Sequence, residues 1–172
     1  MTSRQELLQY INDLKDKIRG HEVLRNMYEE YGLDPSELDL VPIAFADLDV
    51  SARTDHGIIY LSYNVLENKK EPNIDNDHYL IHELSHVIQQ TTGDKPTKGS
   101  NDGDNYLDNE YEQEAFQNQT EYIANEYSQD KAEQYVKRVL DKHKIKGKER
   151  EEKAEVLLNI AKMRMNRVKN GK

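Results

Sequence analysis

The sequence contains no cysteine, no tryptophan, only four prolines and no long apolar run. Without cysteine the chain can form neither a disulfide framework nor a cysteine-ligated metal site, so any metal ion would need histidine and carboxylate ligands. No stretch reaches the roughly 20 apolar residues of a transmembrane helix, and residues 1–10 lack the apolar core of a secretory signal peptide. These absences predict a soluble cytoplasmic protein with no membrane partner.

Charge is abundant and unevenly distributed along the chain. Charged residues make up 33% of the 172 residues, apolar residues make up 35%, and the net charge is −9. From Lys142 to the end, however, eleven lysines and arginines face only four acidic residues. A basic tail of this kind can contact nucleic acid, but its interleaved glutamates argue against such a partner. We therefore expect the tail to fold back on its own domain.

Helical signals cover most of the chain. The first helix is predicted to begin after Ser3, which forms a capping box with Glu6, and to end at Gly20. Apolar periodicity and capping residues predict helices over 4–18, 22–31, a segment beginning near Asp75 or Asp77, 109–127, 131–143 and 148–168.

Two β-prone runs, 38–50 and 56–64, are separated by a turn-like segment over 53–57. They predict neighbouring strands of a small antiparallel sheet, with Pro42 directing the first strand to an edge. The predicted fold class is therefore α+β: one mostly helical domain over 1–172. Its core lies at about 41–127, between N-terminal helices within 3–32 and a helical, basic C-terminal tail over 130–172.

The segment LIHELSHVIQQ contains a His-Glu-x-x-His motif at His82, Glu83 and His86. On a helix, two histidines four residues apart project from one face, so that both imidazoles can bind one zinc ion at about 2.1 Å. Glu83 lies roughly 100° around the helix and can reach a metal-bound water without binding the metal. The alternative is a chance arrangement of polar residues in an ordinary core helix. Because the surrounding residues are apolar, unpartnered polar side chains would be costly there, and we favour the metal site.

A catalytic zinc needs a third protein ligand, and helical phase selects a glutamate for this role. His78 is too far from His86 along the helix, at about 12 Å, to complete the site. In the segment 109–127, Glu112 is centred on the apolar stripe formed by Ala115, Phe116, Gln119 and Ile123. On the same reasoning Glu110, Glu114 and Glu121 point to solvent, and Glu126 shares the stripe near the helix end. A carboxylate on an apolar face requires a cation or strong donors, which a zinc ion would satisfy.

Residues 41–127 resemble the gluzincin branch of the zinc metallopeptidases, and look closest to small single-domain members from bacteria and phages. IHELSHVIQQ and the later YLDNEYEQEAF, which contains a Glu-x-x-Ala pattern, carry the resemblance. It implies a zincin-like domain in which His82, His86 and Glu112 bind zinc and Glu83 is the general base on a zinc-bound water. Glu121 also begins a Glu-x-x-Ala pattern and is the alternative third ligand.

The expected activity is hydrolysis of peptide bonds in a peptide or protein substrate. Tyr106 and Tyr122 are candidate donors to the oxyanion, and the strand at residues 58–62 is predicted to be an edge strand that pairs with the substrate. The main alternative is a non-catalytic, metal-stabilised helical protein that binds a partner protein. Glu83 separates the two hypotheses, because a purely structural metal site does not need a base.

Overall fold

The computed structural model describes residues 3–66, 75–92 and 107–169, with side chains described up to residue 158. The chain divides into two compact units, residues 1–99 and residues 100–172. Most of the described chain is helical, with one small sheet, as the predicted α+β class requires. Within the part of the chain that the structure describes, no helix has the length and apolar character needed to cross a membrane.

The described part of the first unit contains three α-helices, two short 3₁₀ helices and a three-stranded sheet. Helix α1 begins after Ser3, whose side chain accepts a hydrogen bond from the Glu6 backbone, as predicted. The elements of this unit are α1 (Arg4–Ile18), α2 (Glu22–Glu30), a 3₁₀ helix (Pro35–Leu40), β1 (Ile43–Ala46), β2 (Ala52–Asp55), β3 (Ile58–Ser62), a second 3₁₀ helix (Tyr63–Leu66) and α3 (Asp77–Thr91).

The sheet is mixed, with strand order β1-β3-β2, so the prediction of an antiparallel sheet is wrong in part. Strand β3 pairs antiparallel with β2 and parallel with β1. The segment 53–57, predicted to be a turn, instead contains most of β2 and a two-residue turn. In this turn His56 and Gly57 both have positive φ, which is the geometry of a tight type I′ hairpin. Because the turn needs only two residues, the rest of the segment predicted to be a turn can form strand β2.

This topology also corrects the position of β3, which is the central strand and not an edge strand. The hairpin places β2 on one side of β3, and β1 occupies the other side. Among the described strands β1 pairs with β3 alone, so the first strand lies at an edge of the sheet, where it was predicted to lie. The Pro42 carbonyl accepts a hydrogen bond from the Ile59 backbone at 3.0 Å.

Helix α3 is buried along almost its whole length and packs on β2, β3, α1 and α2 within the first unit. Its N-cap is Asn76, whose side chain does not accept a capping hydrogen bond from the helix backbone, so the prediction of Asp75 or Asp77 as N-cap is wrong. Asp77 is the first helical residue. Its buried carboxylate lies 3.4 Å from the Lys17 ammonium of α1, and this ion pair occupies the side chain that was expected to cap the helix.

In the described part of the second unit, helix α4 packs on both α5 and α6. The elements of this part are α4 (Glu110–Glu126), α5 (Gln129–Lys142) and α6 (Gly147–Lys169). Asn109 caps α4 by accepting hydrogen bonds from the backbones of Tyr111 and Glu112. The Thr120 hydroxyl donates to the Leu157 carbonyl at 2.7 Å and ties α4 to α6.

Glu121 is 2% exposed, so the prediction that it points to solvent is wrong. The prediction assumed a single buried stripe on α4. Two helices of its own unit cover α4, and polar residues such as Asn118, Gln119 and Thr120 are consequently buried as well. Glu110 and Glu126 are exposed and Glu114 is half-buried.

Candidate metal centre

Two imidazoles lie side by side on the buried face of α3. His82 and His86 are one helical turn apart, with ring centroids separated by 5.0 Å and ring planes inclined at 74°. The exposed fractions of the two residues are 6% and 4%. The apolar residues around them, Leu80, Ile81, Leu84, Val87 and Ile88, are buried as well, so the core holds the helix that carries both rings.

The structure brings Glu112 to these two histidines. One ligand atom from each of His82, His86 and Glu112 lies within 4.8 Å of the other two, and all three residues are buried. Among the described residues no other cluster of three potential ligands is this close. Two imidazole nitrogens and one carboxylate oxygen form a donor set that suits zinc and similar divalent ions, so this buried His-His-Glu group could hold a metal ion.

Glu121 does not belong to this group. It lies nine residues beyond Glu112 on α4, which corresponds to about 13 Å along the helix axis, so one ion cannot bind both carboxylates. Of the two candidate oxyanion donors, Tyr122 is fully buried on α4, and Tyr106 lies outside the described residues.

A hydrogen-bond partner of His86 was not predicted from the sequence. The Oε1 atom of Gln89 lies 2.8 Å from Nδ1 of His86, and Gln89 is only 2% exposed. The signal was present in the spacing, because residues three apart on a helix are neighbours. The His-Glu-x-x-His motif itself identifies only ligands and not the groups that orient them.

Glu83 also has a partner, on strand β2. The Thr54 hydroxyl lies 2.9 Å from Glu83 Oε1 and 3.2 Å from the Glu83 carbonyl oxygen, and it can donate its single proton to either. Thr54 is 1% exposed and Glu83 is 7% exposed. The Glu83 side chain is therefore directed toward the sheet and held by a residue distant in sequence. Nothing in the local sequence pattern identifies Thr54, which fell in the segment predicted to be a turn.

Gln90, two turns beyond Glu83 on α3, forms hydrogen bonds with the same β2–β3 hairpin. Its Oε1 accepts a hydrogen bond from the Gly57 backbone at 2.8 Å, and its Nε2 donates to the Thr54 carbonyl at 3.4 Å. Residues seven apart on a helix share a face, so Glu83 and Gln90 both point at the β2–β3 hairpin. Helix α3 thus carries two adjacent polar stripes: His82, His86 and Gln89 on one, and Glu83 and Gln90 on the other.

Comparison of the chain with models of protein families, with curated proteins and with solved structures finds no match. The resemblance to gluzincins therefore stays a prediction.

Proposed function

We propose that the protein is a zinc-dependent metallopeptidase that hydrolyses peptide bonds. The observation that carries the proposal is the convergence of His82, His86 and Glu112, with the carboxylate of Glu83 held one residue from the first ligand. Three protein ligands are the number that catalytic zinc sites use, with a further position left for water or substrate. A structural zinc site is normally closed by four protein ligands.

When bound, zinc would act as a Lewis acid that activates water near neutral pH and polarises a carbonyl group. In the reaction we assign to this chain, Glu83 accepts the proton of the water that attacks the peptide carbonyl, and a carbon–oxygen bond forms. Glu83 then delivers that proton to the amine nitrogen as the carbon–nitrogen bond breaks. Because Thr54 engages Oε1, we assign the proton transfer to Oε2.

The corrected sheet supports a proposed location for the peptide substrate on one of its outer strands. Both sides of β3 are occupied by neighbouring strands, so a substrate that pairs with the sheet has to use β1 or β2. We assign this role to β2, because it carries Thr54, whose side chain contacts Glu83.

The test of this proposal is the Glu83→Gln substitution, which preserves size and hydrogen bonding and removes the base. Zinc content and thermal stability should persist, while cleavage of a proteome-derived peptide library, read by mass spectrometry, should fall by at least about 10²–10⁴-fold. Glu110→Gln, which changes an exposed glutamate on α4, is the matched control and should cleave as wild type does.

Identical cleavage profiles for wild type and Glu83→Gln would contradict the hydrolase proposal even if zinc is bound. A metal-stabilised protein that binds a partner would then replace it. Loss of zinc in Glu83→Gln would show instead that this residue is a ligand and not the base.

A further inference from the structure

The contact between Gln89 and His86 determines which ring nitrogen of His86 carries the proton. The Oε1 atom of an amide can only accept a hydrogen bond, so the 2.8 Å contact is a hydrogen bond only in the form of His86 whose Nδ1 carries the proton. In neutral imidazole the other nitrogen, Nε2, then carries the lone pair. A metal ion requires such a lone pair, so the contact leaves His86 in the form that can bind through Nε2.

The geometry of α3 makes this contact a built-in feature of the helix. Side chains on a helix lean toward its N-terminus, so Gln89 extends back over the turn that contains His86. Taking 100° per residue, Gln89 lies about 20° from His82 and about 60° from His86 around the helix. All three side chains are more than nine-tenths buried, so little water competes for Nδ1.

We propose that Gln89 is a positioning residue of the metal centre, which fixes the Nδ1–H tautomer and the ring orientation of His86 and so presents Nε2 to the ion. Outer partners of metal-binding histidines act in this way and typically change metal affinity by 10–100-fold when removed. The inference rests on the metal binding of the proposed function, and it does not depend on peptidase activity.

A neutral acceptor suits this position better than a carboxylate would. Glu112 already places one carboxyl group at the histidines, and Glu83 places a second buried carboxyl group on the adjacent stripe of α3. A third carboxylate would add a desolvation cost whenever no ion is bound. The amide fixes the tautomer without that charge, so the zinc-free protein keeps its histidine oriented.

The first test needs neither zinc nor substrate. Long-range proton–nitrogen NMR correlation of the histidine rings in zinc-free protein, at a pH where they are neutral, distinguishes the two tautomers. Wild-type His86 should show the Nδ1–H form. Gln89→Leu, which keeps the approximate size and removes the acceptor, should shift His86 toward a mixture of both forms.

The second test measures zinc affinity by competition with a chromogenic chelator. Gln89→Leu should bind zinc 10–100-fold more weakly than wild type. Gln89→Glu, which retains an accepting oxygen, should bind at least as tightly as wild type. The matched control is Gln90→Leu, because the hydrogen bonds of Gln90 go to the hairpin, and the zinc affinity of this variant should equal that of wild type.

Two results would overturn the proposal: an Nε2–H tautomer for His86 in the wild-type protein, or unchanged zinc affinity in Gln89→Leu. If Gln89→Leu does not fold, the wild-type tautomer of His86 and the zinc affinity of Gln89→Glu still test the role of Gln89. Wild-type protein that binds no zinc would contradict the metal centre itself. If the wild-type protein binds zinc but its His86 is a mixture of both tautomers, only the role of Gln89 is contradicted.

Discussion

Replacing Thr54 with valine tests whether the sheet holds the carboxylate of Glu83. Valine has the shape of threonine but cannot donate a hydrogen bond, so the substitution removes the 2.9 Å contact to Glu83 Oε1 without opening a cavity. Both residues are buried, and water has little access to replace the lost donor. We expect Thr54→Val to destabilise the fold and Thr54→Ser, which keeps the hydroxyl, to be better tolerated.

The magnitude follows from the kind of hydrogen bond. A bond to a charged group contributes about 1.5–3 kcal/mol to the free energy of unfolding. For a chain of this length each kcal/mol corresponds to a change in Tm of roughly 2–4 °C, so Thr54→Val should lower Tm by roughly 3–12 °C. Thr54→Ser removes one buried methyl group and should cost about 1 kcal/mol.

Thermal and urea denaturation of zinc-free protein provide the assay, and a double-mutant cycle with Glu83→Gln isolates the pairwise contribution. Glutamine accepts a weaker, neutral hydrogen bond, so Thr54→Val should cost about 1 kcal/mol less in that background than in wild type. Strictly additive effects of the two substitutions, or a Thr54→Val variant as stable as wild type, would refute the claim that this hydroxyl holds the carboxylate.

Further predictions concern the third ligand, the second unit and pH. Glu112→Gln should weaken zinc binding by orders of magnitude in a chelator competition, whereas Glu121→Gln should leave zinc affinity unchanged and lower Tm, because Glu121 is buried outside the group. Thr120→Val removes the 2.7 Å bond to the Leu157 carbonyl and should cost about 0.5–1.5 kcal/mol in urea denaturation. Burial lowers the pKa of His143 below its usual 6.5, so the unfolded chain takes up this proton at higher pH than the folded protein does. The contribution of neutral His143 to stability is therefore complete above pH 6.5 and declines as pH falls below it, and His143→Gln should reduce the loss of Tm between pH 7.5 and 5.

The helices could be predicted from the sequence because their signals are local. The range predicted for α1 matches the observed helix, since Ser3 caps its start and Gly20, with φ of 79°, follows its end. The sheet could be predicted only in part. A four-residue strand joined to its neighbour by a two-residue turn is too short to show an alternating pattern, so the sequence of β2 predicts a turn instead.

The candidate site likewise contains features that are local in the sequence, which could be predicted, and features that depend on tertiary packing, which could not. The spacing of His82 and His86 on α3 and the phase of Glu112 on α4 are properties of single helices, and the sequence shows them. Thr54 reaches Glu83 across 29 positions of the chain, which no periodicity can reveal. The burial of Glu121 depends on the packing of α4 against two other helices, and a one-stripe analysis cannot anticipate a second covered face.

The central claim is that His82, His86 and Glu112 hold a zinc ion, and metal analysis tests it most directly. Protein purified without added metal and without chelators should contain one zinc per chain, measured by inductively coupled plasma mass spectrometry. His86→Ala should contain none and should unfold at lower temperature than wild type, because a ligand that binds only the folded state stabilises it. Wild-type protein without bound zinc, or a His86→Ala variant that retains zinc, would contradict the account.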